Sequence, residues 1–231
     1  MALLSLAALS WGYLVFVPMP MPGEHGVLEP FYIVTSYLLW FVMMIAMMAP
    51  AVMPVVLVFH RSQPQRDSQP ARRSTAFVVG YALVWSLFSC AATLLQVVLI
   101  QIGVVDSMTI SRWPAWSAAL LLSAGIYQWL PLKTRCLQHC RDPIMFLTHH
   151  YHPGVSGALR TGIAHGLYCL GCCVLLMLLL FVVGSMNLAL VAALTALIVL
   201  ERIAPIAPAI RHISGTLLVA AAVYMLYTMA T

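Results

Sequence analysis

The chain has 231 residues, 63% of them hydrophobic and 7% charged, with a mean hydropathy of +0.98; soluble domains carry roughly a quarter charged residues, so the composition is that of an integral membrane protein. The net charge of +5 and pI near 9.0 come from few, scattered ionisable groups, which excludes nucleic acid as a partner and speaks to orientation against anionic membrane lipid. Six cysteines with no small disulfide-rich domain around them are expected as reduced thiols.

Apolar runs of about 20 residues, the length that crosses a hydrocarbon core, predict an all-α fold: a polytopic transmembrane helix bundle of about seven spans. It is read as a single domain over 1–231. The runs extend approximately from Ala2 to Val17, Phe31 to His60, Thr75 to Ile102, Trp113 to Leu132, Ala158 to Val183, Met186 to Ile203 and Ile210 to Tyr227. The first is short and ends in "PMPMPG", yet it lacks the basic leader of a signal peptide and is read as a span. The second contains Pro50 and Pro54 and is expected to kink in its later half.

Arg61, Arg66, Arg72 and Arg73 follow span two, Lys133, Arg135, Arg141 and Arg160 precede span five, and Arg202 and Arg211 follow span six. The alternate loops hold Glu24, His25, Glu29 and Asp106, with Arg112 as their base. The positive-inside rule then places the N-terminus inside and the C-terminus outside. Glu201 falls at the inner end of span six, where it either carries function or faces headgroups and basic loop residues.

Span two carries "WFVMMIAMMAPAVMP", in which Met43 and Met47, and Met44 and Met48, are i, i+4 pairs on neighbouring strips of the helix. A lone methionine is ordinarily a filler of irregular gaps; four within six residues form a denser signal. Cys90, midway through span three, falls at the same expected depth. The 133–157 segment is read as a cytoplasmic loop containing "KTRCLQHCRDPIMFLTHHYHPG". Cys136, His139 and Cys140 would share a face there if the loop is helical, with His149, His150 and His152 beyond. Such a tract suits metal binding, and equally a solvated interfacial helix.

Span five contains "HGLYCLGCC". At about 100° per residue, His165, Cys169, Cys172 and Cys173 fall within an arc of about 100°. Gly162 and Gly166 make a G-x-x-x-G spacing beside it, which lets a neighbouring backbone come close. Each cysteine alone reads as a small hydrophobe; four groups on one arc read equally as ligands and as small packing residues at a helix contact.

Thioether, thiol and imidazole suit Cu(I), whereas Mg²⁺ and Ca²⁺ need carboxylates and carbonyls that these spans nearly lack. A filled site in hydrocarbon must approach neutrality. Cu(I) with one thiolate and neutral Met or His ligands does so, as does Zn²⁺ with two thiolates. Thioether is a poor zinc ligand, so copper(I) ranks ahead of zinc.

"MMIAMMAP", "QWLPLKTRCLQHCRDP" and "GALRTGIAHGLYCLGCC", in that order over about Trp40 to Glu201, resemble the bacterial predicted metal-binding integral membrane proteins grouped as a domain of unknown function. The resemblance implies a polytopic membrane fold and a metal role without an assigned reaction. Its implied candidates are Met43, Met44, Met47, Met48, Cys136, Cys140, His165, Cys169, Cys172 and Cys173; Cys90 and the "HHYH" tract gain nothing from it.

The expected function is transfer, transport or delivery of a soft metal, copper(I) first, by a multi-pass protein of the bacterial inner membrane, moving the metal rather than catalysing a reaction. Its expected partners are lipid, the metal ion, and a metallochaperone or a membrane-complex partner. Two alternatives stay open: a membrane thiol-disulfide oxidoreductase using Cys169 and Cys172 or Cys136 and Cys140, and a non-catalytic subunit in which Cys and Met only pack.

Overall fold

The computed structural model describes residues 2–16, 26–63, 70–106, 109–184 and 187–230. Glu24, His25 and Arg66, and the ends of the first and sixth expected spans at Val17 and Met186, lie outside the described residues. The helices in chain order are α1 (Ala2–Phe16), α2 (Pro30–Arg61), α3 (Pro70–Gln101), α4 (Pro114–Tyr127), α5 (Pro131–Arg141), α6 (Pro143–His150), α7 (Gly154–Leu178), α8 (Leu180–Val183), α9 (Leu188–Ile203) and α10 (Ala207–Ala230). Pro30, Pro70, Pro114, Pro131 and Pro143 each open a helix, where the absent N–H is not needed and the fixed φ suits the first turn.

Four segments are long and apolar enough to cross a membrane: α2 and α3, of 32 residues each, the 30-residue rod formed by α7 and α8, and α10, of 24 residues. They coincide with the second, third, fifth and seventh expected spans. The other three are shorter helices, α1 with 15 residues, α4 with 14 and α9 with 16.

α2 continues through Pro50 and Pro54. Pro50 offers no N–H to the Ala46 carbonyl, the usual i−4 acceptor. Trp11 of α1 supplies the missing donor, its Nε1 lying 3.2 Å from that oxygen. The helix interruption therefore becomes the point at which α1 is fastened to α2.

α3 and α7 pack with backbone against backbone because glycines line the contact. A Cβ added at Gly162 would stand 2.0 Å from the Phe77 carbonyl oxygen, and one at Gly80 would stand 2.3 Å from that of Leu159. At Gly166 the nearest atom would be Val84 Cγ2, at 2.8 Å. The G-x-x-x-G spacing thus marks the contact expected of it.

The 133–157 stretch, read as a loop that could itself be helical, is largely helical and lies along α7. Ser111 N–H donates to the Val182 carbonyl at the far end of the rod, and Tyr127 donates to the Gly171 carbonyl. The Cys136 sulfur packs on Gly171, His139 stacks on Tyr168 at 4.2 Å, and Phe146 meets His165 at 4.9 Å. Thr161 donates to the His150 carbonyl at 2.9 Å. α4, α5 and α6 therefore form one broken traverse running antiparallel to α7 and α8.

α9 ends against this traverse rather than at the end of the molecule. Lys133 of α5, fully buried, pairs with Glu201 at 2.7 Å. Gln128 donates to the same carboxylate at 3.0 Å and accepts from Lys133. Arg141 donates to the carbonyls of Glu201 and Ala204, at 3.2 and 2.9 Å, satisfying the acceptors that a helix C-terminus leaves open.

Two stability predictions follow from these contacts, both read as unfolding midpoints in detergent solution. Gly162→Ala should cost about 1–3 kcal/mol or more, as overpacking does, while Gly12→Ala, with nothing within 4 Å of its added Cβ, should cost nothing; equal effects would refute the close α3–α7 contact. Lys133→Met strands a buried carboxylate and should cost about 3–5 kcal/mol. Adding Glu201→Gln should restore most of that loss, and no restoration would mean that the pair is not what Lys133 contributes.

Candidate metal centre

The close α3–α7 approach brings Tyr81 to Cys169, with the phenol oxygen 3.0 Å from Sγ. On the other side of the same sulfur lies α2: the Cys169 thiol donates to Met48 Sδ at 3.9 Å. α9 supplies the fourth side. Arg202 Nη2 donates to Cys169 Sγ at 2.9 Å and to Cys172 Sγ at 3.3 Å. Cys140, on α5, is buried in the same core as Cys172. Two thiols of α7, one of them in contact with a thioether of α2, thus lie against one guanidinium about halfway along the α7–α8 rod.

Local helix geometry explains the placement of the two central thiols. Cys172 and Cys173 both donate to the Cys169 carbonyl at 3.0 Å, a back-bond that holds each side chain along the helix. Cys169, Cys172 and Met48 are all buried, with relative exposures of 0%, 2% and 0%. Among the described residues, no group of three His, Cys, Asp or Glu side chains is arranged to hold a metal ion. The soft-donor set depends on the thioether of Met48, and Cu(I) is the ion suited to thiolates and thioethers.

His165 lies one turn before Cys169 on the same arc, fully buried. Its ring stacks on Tyr81 at 5.9 Å and meets Phe146 edge-on at 4.9 Å. Neither ring nitrogen has a hydrogen-bond partner. Buried imidazole nitrogens are ordinarily paired, so an unpartnered ring beside soft donors is a fitting spare ligand.

The remaining expected ligands separate. Met43, Met44 and Met47 are buried in the same apolar core. Cys173 is buried one residue beyond Cys172. Cys136 and Cys140 both face α7, whereas His139 turns away to the Tyr168 ring and stands 5.9 Å from His150, centroid to centroid. His139 and His150 engage backbone carbonyls through Nδ1. His149 and His152 are exposed. Cys90 is exposed on the outer face of α3 and does not join the cluster.

Arg202 and Tyr81 were not among the expected site residues. Arg202 reads in the sequence as a loop cation after a span, but α9 stops beside Cys169 and carries the guanidinium inward. In the sequence the apolar run from Met186 to Ile203 is of nearly spanning length; α9 itself, at 16 residues and about 1.5 Å per residue, is short of a full bilayer crossing. Lys133 and Arg211 are likewise buried, leaving Arg61, Arg72, Arg73 and Arg160 as the described basic residues at the shared end of α2, α3 and α7.

The family model described as PpoB2, copper chaperone, matches residues 37–225. No curated protein and no solved structure gives a match. The matched stretch contains every side chain of the sulfur cluster and Arg202, and the chain belongs to the PpoB2 copper chaperone family.

Proposed function

We propose that this chain is a multi-pass protein of the bacterial inner membrane that carries Cu(I) on Cys169, Cys172 and Met48 and passes it on without catalysing a reaction. The observation that carries this reading is the meeting of Cys169 with Met48, sulfur to sulfur at 3.9 Å, where no water reaches either. Membership of a copper chaperone family and four membrane-length apolar helices support it. The Arg61, Arg72, Arg73 and Arg160 end is assigned to the cytoplasmic face by the positive-inside rule.

In this reading Cu(I) is cargo, and it moves by ligand exchange. Cys140, buried on α5, is the incoming or outgoing thiol, and half-buried Cys136 extends the series along α5. Each soft donor is replaced before the last one leaves, so the ion is never bare in an apolar interior, where an unpaired charge is costly. His165 is the neutral donor held in reserve. Met43, Met44, Met47 and Cys173 are supporting soft side chains. Zinc is a weaker cargo because a thioether adds little to its binding. A metallochaperone or a copper enzyme is the partner such a carrier requires.

Anaerobic purification after copper loading, followed by elemental analysis, tests the reading. The wild-type chain should retain copper, Cys172→Ser should lose most of it, Met48→Leu should lose part, and Cys90→Ser should match wild type. Copper content unaffected by Cys172→Ser would overturn the assignment. A Cys169–Cys172 or Cys136–Cys140 disulfide that forms and breaks with quinone, in the absence of retained copper, would favour the thiol oxidoreductase instead.

A further inference from the structure

Arg202 is an unusual neighbour for a cation site. It is 6% exposed, and among the described residues no carboxylate pairs with it. The nearby acid, Glu201, is taken by Lys133. Among the described residues its hydrogen-bond acceptors are the sulfurs of Cys169 and Cys172, and its Nε and Nη1 have no partner there. An arginine keeps its charge in any protein setting, and a buried charge needs a compensating one.

We propose that Arg202 makes this site selective for a monovalent over a divalent metal ion, by fixing one positive charge against the two ligand thiols. The proposal rests on the copper-carrier reading and specifies the charge class of its cargo. A thiol binds metal as the thiolate. With Cys169 and Cys172 ligated, two thiolates, one guanidinium and one monovalent ion sum to zero charge, whereas a divalent ion leaves one positive charge over. Lys133 and Glu201 cancel each other and do not alter the balance. The guanidinium also repels a divalent ion twice as strongly as a monovalent one at equal distance. Without Arg202 the preference inverts: two thiolates neutralise Zn²⁺ and leave a Cu(I) complex with an uncompensated negative charge. The selectivity therefore comes from an outer charge as well as from ligand softness.

The test is competition between Ag⁺, as a redox-inert stand-in for Cu(I), and Zn²⁺ on the full-length protein in detergent, read by elemental analysis. Wild type should retain Ag⁺ and exclude Zn²⁺. Arg202→Gln should lower the Ag⁺ to Zn²⁺ retention ratio by about 30-fold or more, the scale of loss when one partner of a buried charge pair is truncated. Arg202→Lys, which keeps the charge, should retain the wild-type preference. An Arg202→Gln ratio equal to wild type overturns the proposal while leaving the carrier reading intact. Equal retention of the two ions by wild type overturns it without any variant. If wild type retains neither ion, the carrier reading itself fails.

Discussion

The sulfur cluster depends on how closely α3 and α7 can approach. A helix pair separated by ordinary side chains would hold Tyr81 and Cys169 too far apart to touch; here Gly80 and Gly162 place one backbone against the other. With that spacing set, the Cys-bearing face of α7 is walled on one side by α3, and α2 closes over it with Met48. The packing and the chemistry are therefore one constraint: small residues on one strip of α7 bring neighbours close, and the soft donors on the adjoining strip are what those neighbours enclose.

The second element of the arrangement is a helix that stops early. α9 ends where Arg141 can satisfy its last carbonyls and Lys133 can neutralise Glu201. An open helix end in apolar surroundings is tolerated only when its backbone groups find partners within the protein, and the broken α4–α6 traverse supplies them. That end delivers Arg202 to the thiols. In the proposed membrane placement, an interrupted helix and a broken traverse meet at the level of the cluster, where their irregular backbone is buried within protein.

Much of this was legible in the sequence because it depended on periodicity within a single helix. The shared arc of His165, Cys169 and Cys172, the glycine spacing of α7 and the dense methionines of α2 are one-helix properties, and the structure places Met48 and both cysteines at one locus. What was not legible depended on relations between helices. "KTRCLQHC" is polar enough to resemble a loop, yet α5 is folded against α7, with Lys133 and Cys140 turned inward and His139 turned aside. Cys90 has an apolar setting along the chain, but its register on α3 directs it outward. Arg202 follows a long apolar run, as a loop residue would; only the three-dimensional path of α9 shows where that run ends.

Copper chaperone membership and the buried thiol–thioether cluster meet in a single claim, that the cargo is ligated by sulfur from α7 and α2 beneath a fixed positive charge. X-ray absorption at the copper edge of the anaerobically loaded, full-length protein measures this directly. The account predicts a Cu(I) edge with a first coordination sphere of sulfur alone, losing sulfur scatterers in Met48→Leu. A Cu(II) edge, or a sphere dominated by nitrogen and oxygen and unchanged by Cys169→Ser and Cys172→Ser together, would contradict it.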